Sequence, residues 1–104
     1  MALDVRESAD GRRFELWEDG ELAGHADVVP TGDLLAVPHT EVAPARTGRG
    51  LAGELVRVVL DTARARGQQV LPQCRYLSAW IARNPEYLDL VPSADRRAYG
   101  LPQY

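Results

Sequence analysis

A single cysteine, Cys74, rules out a disulfide within the chain. With only two histidines beside it, too few ligands remain for a structural zinc site. No apolar run is long enough to cross a membrane, and no signal-peptide hydrophobic stretch is visible. A formal net charge of −3 lacks the basic excess that nucleic acid as main partner demands. There is no repeat, low-complexity tract or interdomain linker. The expectation is a cytoplasmic protein with no metal, no membrane and no nucleic acid among its partners. What is present is 104 residues, 45% of them hydrophobic, which suits one compact domain around a modest core.

The chain is organised around Thr47-Gly48-Arg49-Gly50-Leu51-Ala52-Gly53-Glu54-Leu55, a glycine-rich turn running into a helix. Behind the turn, Leu51, Leu55 and Val59, with Ala52, Val56, Leu60 and Ala63, recur at helical spacing on one face. Glu54, Arg57, Asp61 and Arg64 occupy the other face, and Gly67 suits the helix end. The glycines therefore sit at a helix N-terminus. Unpaired N–H groups and the helix dipole favour an anion there. A tight turn that only starts a helix is the simpler alternative.

Upstream, Leu3 and Val5 can begin a strand. Arg13 to Glu18 alternates apolar and polar residues and reads as a strand. Asp19-Gly20 is a hairpin turn. Glu21 to Val29 is the return strand, with Leu22, Gly24, Ala26 and Val28 on one face. Pro30 to Asp33 is the next turn, and Leu34 to Val42 the next strand. Pro38 within that strand cannot donate a ladder hydrogen bond, which predicts a bulge or an unpaired edge. The helix runs from about Gly50 to Arg66, and Gln69 to Cys74 is a short strand. Strand, helix and strand of this length predict a parallel pair with a right-handed crossover. Tyr76 to Arg83 reads as a short helix. Asn84-Pro85-Glu86 reads as the cap of another that ends at Leu90. Ser93 to Tyr104 shows no usable period and is packed by Tyr99, Leu101 and Tyr104 or is mobile.

Two phosphate motifs fail on their context. Gly48, Gly50 and Gly53 formally spell the dinucleotide fingerprint, which needs an acidic residue roughly 20 positions on, at the end of the next strand. Cys74-Arg75 stand there instead, and antiparallel hairpins before the turn do not suit a doubly wound fold. The phosphate loop of nucleotide hydrolases needs lysine where Glu54 stands.

Antiparallel strands, a glycine turn with Gly50 and Ala52, a helix and a parallel strand together resemble the GCN5-related N-acetyltransferases. His39-Thr40-Glu41-Val42, Val70-Leu71-Pro72-Gln73-Cys74 and Asn84-Pro85-Glu86-Tyr87 resemble the small, single-domain, cysteine-containing members. The resemblance covers roughly Arg12 to Val91. It departs at Thr47, where arginine or glutamine is usual, with Arg46 one place earlier. It implies an α/β fold with a mixed sheet, in one domain over residues 1–104 with a C-terminal tail over 92–104. It also implies acetyl-CoA as cosubstrate. The loop amides would take the pyrophosphate, and the pantetheine arm would lie between splayed strands. The cofactor-binding residues so implied are Thr40, Glu41, Val42, Arg46, Thr47, Gly48, Arg49, Gly50, Leu51 and Ala52, with Asn84 and Tyr87.

Most of the superfamily transfers acetyl directly to an amine, whereas the small subgroup resembles enzymes that use a cysteine after the helix. That position is Cys74. The topology brings the C-terminal ends of both parallel strands to the helix N-terminal edge, so His39 and Cys74 are expected to face the thioester. A histidine base and a positive helix end favour thiolate. Each of these residues also has a structural reading. Cys74 can serve as a small buried hydrophobe, His39 as a strand residue, and Tyr87 as core with Tyr76 and Trp80 rather than as a proton donor to the leaving thiolate. His25 is read as structural, Glu41 as holding a water or a partner side chain, and the Arg12-Arg13 and Arg96-Arg97 pairs as solvated surface. The expected function is acetyl transfer to a small-molecule or protein amine by a monomer or weak homodimer. The alternatives are a non-catalytic coenzyme A binding module and an interaction domain with a structural glycine turn.

Overall fold

A computed structural model describes residues 2–103. Five strands form one sheet in sequence order: β1 (Leu3–Glu7), β2 (Arg13–Glu18), β3 (Glu21–Thr31), β4 (Leu34–Val42) and β5 (Gln69–Leu71). The first four are antiparallel and β5 joins β4 in parallel. Helix α1 (Leu51–Ala65) makes the crossover, and α2 (Arg75–Arg83) follows β5. Short 3₁₀ segments at Pro85–Leu90 and Arg97–Tyr99 flank the short α3 (Ser93–Arg96). Tyr104 lies outside the described residues, while Leu101 is buried and Tyr99 packs against the core.

The strand alternation of β2 buries Phe14 and Leu16, and α1 buries Leu51, Leu55, Val56, Val59, Leu60 and Ala63. These side chains meet between helix and sheet with Ala26, Val28, Leu35, Val37 and Val70. A fully buried Leu or Val contributes about 1.5–3 kcal/mol, so this seam is the main source of stability. The helix end is closed by Gly67 at φ 69°, with the Gln68 amide donating to the Ala63 carbonyl at 2.9 Å.

The hairpin at Asp19-Gly20 has both residues at positive φ, as a type I′ turn requires. Two strand readings need correction. Ala23 is an extra residue in β3, because Leu16 faces Gly24 while Trp17 faces Leu22. This bulge turns Leu22 to the outer face, where it is 42% exposed, instead of joining Gly24, Ala26 and Val28. The next turn is only Gly32-Asp33, since Pro30 and Thr31 pair with Leu35 and Leu34. Pro30 is tolerated because β2 ends opposite Asp27, leaving that side of β3 without a neighbour. The break expected at Pro38 is present: Asp27 faces His39 and Val29 faces Ala36, so Val28 opposes two residues of β4.

Gly24 lies close against the β4 backbone. A Cβ there would lie 2.6 Å from the Glu41 carbonyl oxygen and 3.2 Å from Val42. Gly24→Ala is therefore expected to destabilise the protein by about 1–3 kcal/mol. In a domain of this size Tm falls on the order of 5 °C for each kcal/mol. Gly53→Ala is the contrast, because its nearest neighbour is the Trp80 ring nitrogen at 3.3 Å, a side-chain atom that needs to give by only a few tenths of an ångström. Alanine also gains up to about 1 kcal/mol of helix propensity there, so Tm should fall much less than in Gly24→Ala. Thermal melts of the two variants check this, and a Gly24→Ala protein melting with the wild type contradicts the tight β3–β4 approach.

Candidate active site

Three residue pairs join β4 to β5, ending at Ala36 with Leu71. Beyond them β4 continues to Val42 while β5 stops. Pro38 and Pro72 have no N–H to extend the ladder, and only the Cys74 amide reaches back, to the Val37 carbonyl at 2.9 Å. The strands part, and a cleft of about 400 Å³ opens beside the end of β4. Its walls are Thr40 and Val42 of β4, Arg46, Thr47, Gly48 and Gly50 of the loop, Leu51 and Ala52 of α1, and Tyr76 of α2.

The loop begins with a single turn at Pro44–Arg46, closed by the Thr47 hydroxyl donating to the Pro44 carbonyl at 3.0 Å. Gly48 and Gly50 stand at φ 79° and 76°, the left-handed region that favours glycine. Gly50 is the N-cap of α1 and supplies no side-chain cap. The first amides of α1 thus have neither an intrahelical acceptor nor a capping side chain, and they open beside the cleft. Backbone donors and the dipole's positive end make this a place for an anion.

Arg46 and Arg49 converge on Glu18, the only buried charged residue among the described residues. Arg46 Nε donates to Glu18 Oε1 at 2.9 Å, and Arg49 donates to both carboxylate oxygens at 3.0 and 2.6 Å. A terminal nitrogen of Arg46 also reaches Glu21 at 3.1 Å. Hydrogen bonds from Arg49 hold the Glu18 carboxyl below the ordinary glutamate range; burial opposes this and Arg46 adds to it.

Cys74 is 8% exposed. It does not end the strand, as expected from sequence, because β5 stops three residues earlier; it is the N-cap of α2. Its Sγ accepts from the Leu77 amide at 3.3 Å and lies 3.4 Å from Thr40 Oγ1, to which it donates. Thr40 lines the cleft, so the sulfur sits one side chain away from it. His39 is not brought to Cys74. It neighbours Thr40 on β4, and successive strand residues face opposite sides of a sheet. The His39 ring is exposed, with Nε2 3.3 Å from Glu41 Oε1 and its centroid 5.7 Å from that of His25. Glu41 shares that far face and is likewise outside the cleft.

Asn84 and Tyr87 are also elsewhere. The Asn84 side chain donates to the Trp80 carbonyl at 2.8 Å, so it caps the end of α2 and not the start of the next turn. Tyr87 is buried, stacks against Trp80 at 5.3 Å and donates to Asp61 at 2.8 Å. Burial and the Asp61 contact raise its phenol above the ordinary tyrosine value. Tyr76 and Glu18 are the site residues that sequence reasoning misses. The sequence pattern reads Tyr76 as core, but it is 37% exposed on the cleft wall. Glu18 continues the inward alternation of Phe14 and Leu16, a signal present in the sequence.

The profile of the GCN5-related N-acetyl-transferase family matches residues 13–90. The chain belongs to this family. It is 46% identical over 64 residues to mycothiol acetyltransferase of Nocardia farcinica, an alignment covering 61% of this chain and 21% of the relative. The chain thus spans about a fifth of the length of that curated relative. A GCN5-like protein of Staphylococcus aureus shares the fold at TM-score 0.68, with 15% identity over 86% of this chain and 88% of its own. A GNAT-family acetyltransferase of Brucella melitensis, in complex with acetyl-CoA, aligns at TM-score 0.51 and 27% identity, covering 60% of this chain and 46% of its own.

The Glu18 link should show in acid. A carboxyl held below its unfolded value stabilises the fold above that value, about 4.3, and loses the contribution as pH falls through the folded value. Chemical denaturation of wild type and Glu18→Gln should therefore differ most near neutrality and converge only as pH falls through that lowered folded value. A constant difference from acid to neutral pH would show that the arginines do not stabilise the ionised form.

Proposed function

We propose that the chain transfers acetyl from acetyl-CoA to an amine. The observation that carries this is the uncapped, glycine-led start of α1 opening into the cleft beside the parted strands. The pyrophosphate is read onto the loop and first helical amides, and the pantetheine arm along Val42 and Thr40. Membership of the family and the acetyl-CoA complex of the Brucella melitensis relative support this reading. The acceptor is an amine of a small molecule or a protein. The acceptor used by the Nocardia farcinica relative is the first to offer it.

Two routes suit these residues. In the covalent one, the Cys74 thiol gives its proton to solvent, its sulfur attacks the thioester carbonyl and a new C–S bond forms. The old C–S bond breaks, and coenzyme A leaves as its thiolate and takes up a proton. The amine then attacks the acetyl-cysteine, gives up its proton to solvent and releases the Cys74 thiolate. The Leu77 amide and the α2 N-terminus face the sulfur, and Thr40 takes the partner position expected of His39. In the direct one, the amine attacks acetyl-CoA and Cys74 remains a cap. The burial of Cys74 favours this second route. His39, paired with Glu41 on the far face, is then a base for an amine approaching from that side, not for the sulfur.

Calorimetry with coenzyme A tests the assignment. Gly50→Glu should weaken binding by at least about 100-fold, since like charges in a cleft cost several kcal/mol. A Cβ at Gly50 meets no atom within 4 Å, so the variant should still fold despite the strained φ. Unchanged affinity would remove the phosphate-loop assignment.

Mass spectrometry separates the routes. All twelve basic residues are arginine, so there is no lysine to acquire acetyl nonspecifically. On the covalent route, acetyl-CoA alone adds one acetyl that hydroxylamine removes, and Cys74→Ser loses it while still binding coenzyme A. His39→Ala should leave that label intact and slow only transfer to the amine. Wild-type transfer by Cys74→Ser would exclude the covalent route. Binding with no acetylated protein or amine would identify a coenzyme A binding module instead.

A further inference from the structure

We propose that Glu18 sets how tightly the loop holds phosphate, by keeping the guanidinium forks of Arg46 and Arg49 on its own carboxylate and off the ligand. This rests on the reading that the phosphates of coenzyme A meet the Gly48–Gly50 loop. The two arginines bracket Thr47 and Gly48, where guanidinium forks would otherwise grip an anion bidentately. Instead both point to one carboxylate whose side chain is 6% exposed. Glu21 adds a second negative charge at 3.1 Å from Arg46, and Asp19 a further one that acts on Arg49.

The direction of the balance follows from burial. Moving both arginines to a ligand strands a nearly buried carboxylate without a partner, the expensive way to break such a pair. An arginine–phosphate pair in its place would be more exposed than the pair with Glu18, the arginine side chains being 23% and 41% exposed, so it returns less than stranding the carboxylate costs. The arginines therefore stay on Glu18, and the anion is met by peptide amides and the α1 dipole. A transferase must release its product at each turnover, and holding strength shows chiefly in the rate of leaving. Two further forks on the phosphates would slow that step. Glu18 is a positioning residue in this scheme: it touches the arginines, not the ligand.

Glu18→Gln tests the proposal, because it keeps size and one acceptor oxygen while removing the charge that commits the forks. The expected result is coenzyme A affinity about tenfold tighter at low ionic strength, equivalent to one factor of ten in Kd. That gain should fade as salt is raised to about 0.5 M, because the added attraction is between exposed charges. Replacing Arg46 and Arg49 by glutamine in the Glu18→Gln background should erase it. A merely structural Glu18 would give weaker binding with no new salt dependence. Equal or weaker affinity in a folded Glu18→Gln protein overturns the proposal. A second measurement needs no variant: affinity of the unmodified protein should change little between low and high salt, and a steep fall would overturn the proposal as well. If the unmodified protein binds no coenzyme A at any salt, the cofactor reading itself falls and this inference with it.

Discussion

A parallel ladder that ends after three residue pairs creates the cleft. Had β5 followed β4 to Val42, the space beside Thr40 would be filled by main chain. Two prolines and the β4 bulge prevent this at the point where α1 begins on the other side of the crossover. Because parallel strands run the same way, both open ends fall at the N-terminal end of the connecting helix. One interruption in hydrogen bonding therefore brings together an apolar strand edge, a run of unpaired helix amides and the capped start of α2. The glycine loop is the short path between strand and helix that leaves those amides uncovered.

The loop is held from two sides. Within the chain, the single turn at Pro44–Arg46 and the Thr47 hydroxyl fix its first half. Across the fold, Glu18 reaches it from the end of β2, beside the Asp19-Gly20 hairpin. That link joins parts of the chain 28 and 31 positions apart, which explains why a charged residue is kept in an otherwise apolar row. On the outer side of α1, Arg64 spans to Asp89 and lies over Tyr87, so the helix carrying the amides is also tied to the C-terminal segment. Sequence spacing puts Arg64 on a solvated helix face with neighbours on its own helix; its partners instead come from further along the chain.

Local pattern makes much of this legible. The alternation of Arg13 to Glu18, the spacing of Leu51, Leu55 and Val59, and the turn chemistry of Asp19-Gly20 and Gly67 depend on nearest neighbours in sequence, and the elements follow. Pro38 marks the break in β4. What escapes depends on pairing between elements. The extra residue at Ala23 is defined only against β2, so alternation alone puts Leu22 on the wrong face. Which side of β4 meets the cleft is set by the bulge and by α1, so position at the strand end does not tell His39 from Thr40. Asn84 looks like a helix start before proline, yet its amide is claimed by the preceding helix. Arg46 and Arg49 are visible beside the glycines, but their partner lies a full hairpin away.

The position of Cys74 carries a tension between capping and chemistry. An N-cap sulfur accepting from the third helical amide does the work that serine, threonine, asparagine or aspartate does better, by about 1 kcal/mol against an uncapped end. Helix stability alone would thus favour another residue there. Burial alone would favour alanine or valine, which pack without needing a partner for a polarisable thiol. Cysteine satisfies both demands incompletely, and it places a thiol against Thr40 at the edge of the cleft. Serine at the same place would cap at least as well and fill nearly the same volume. A Cys74→Ser protein therefore separates the sulfur's chemistry from its structural role, because only the chemistry has been removed.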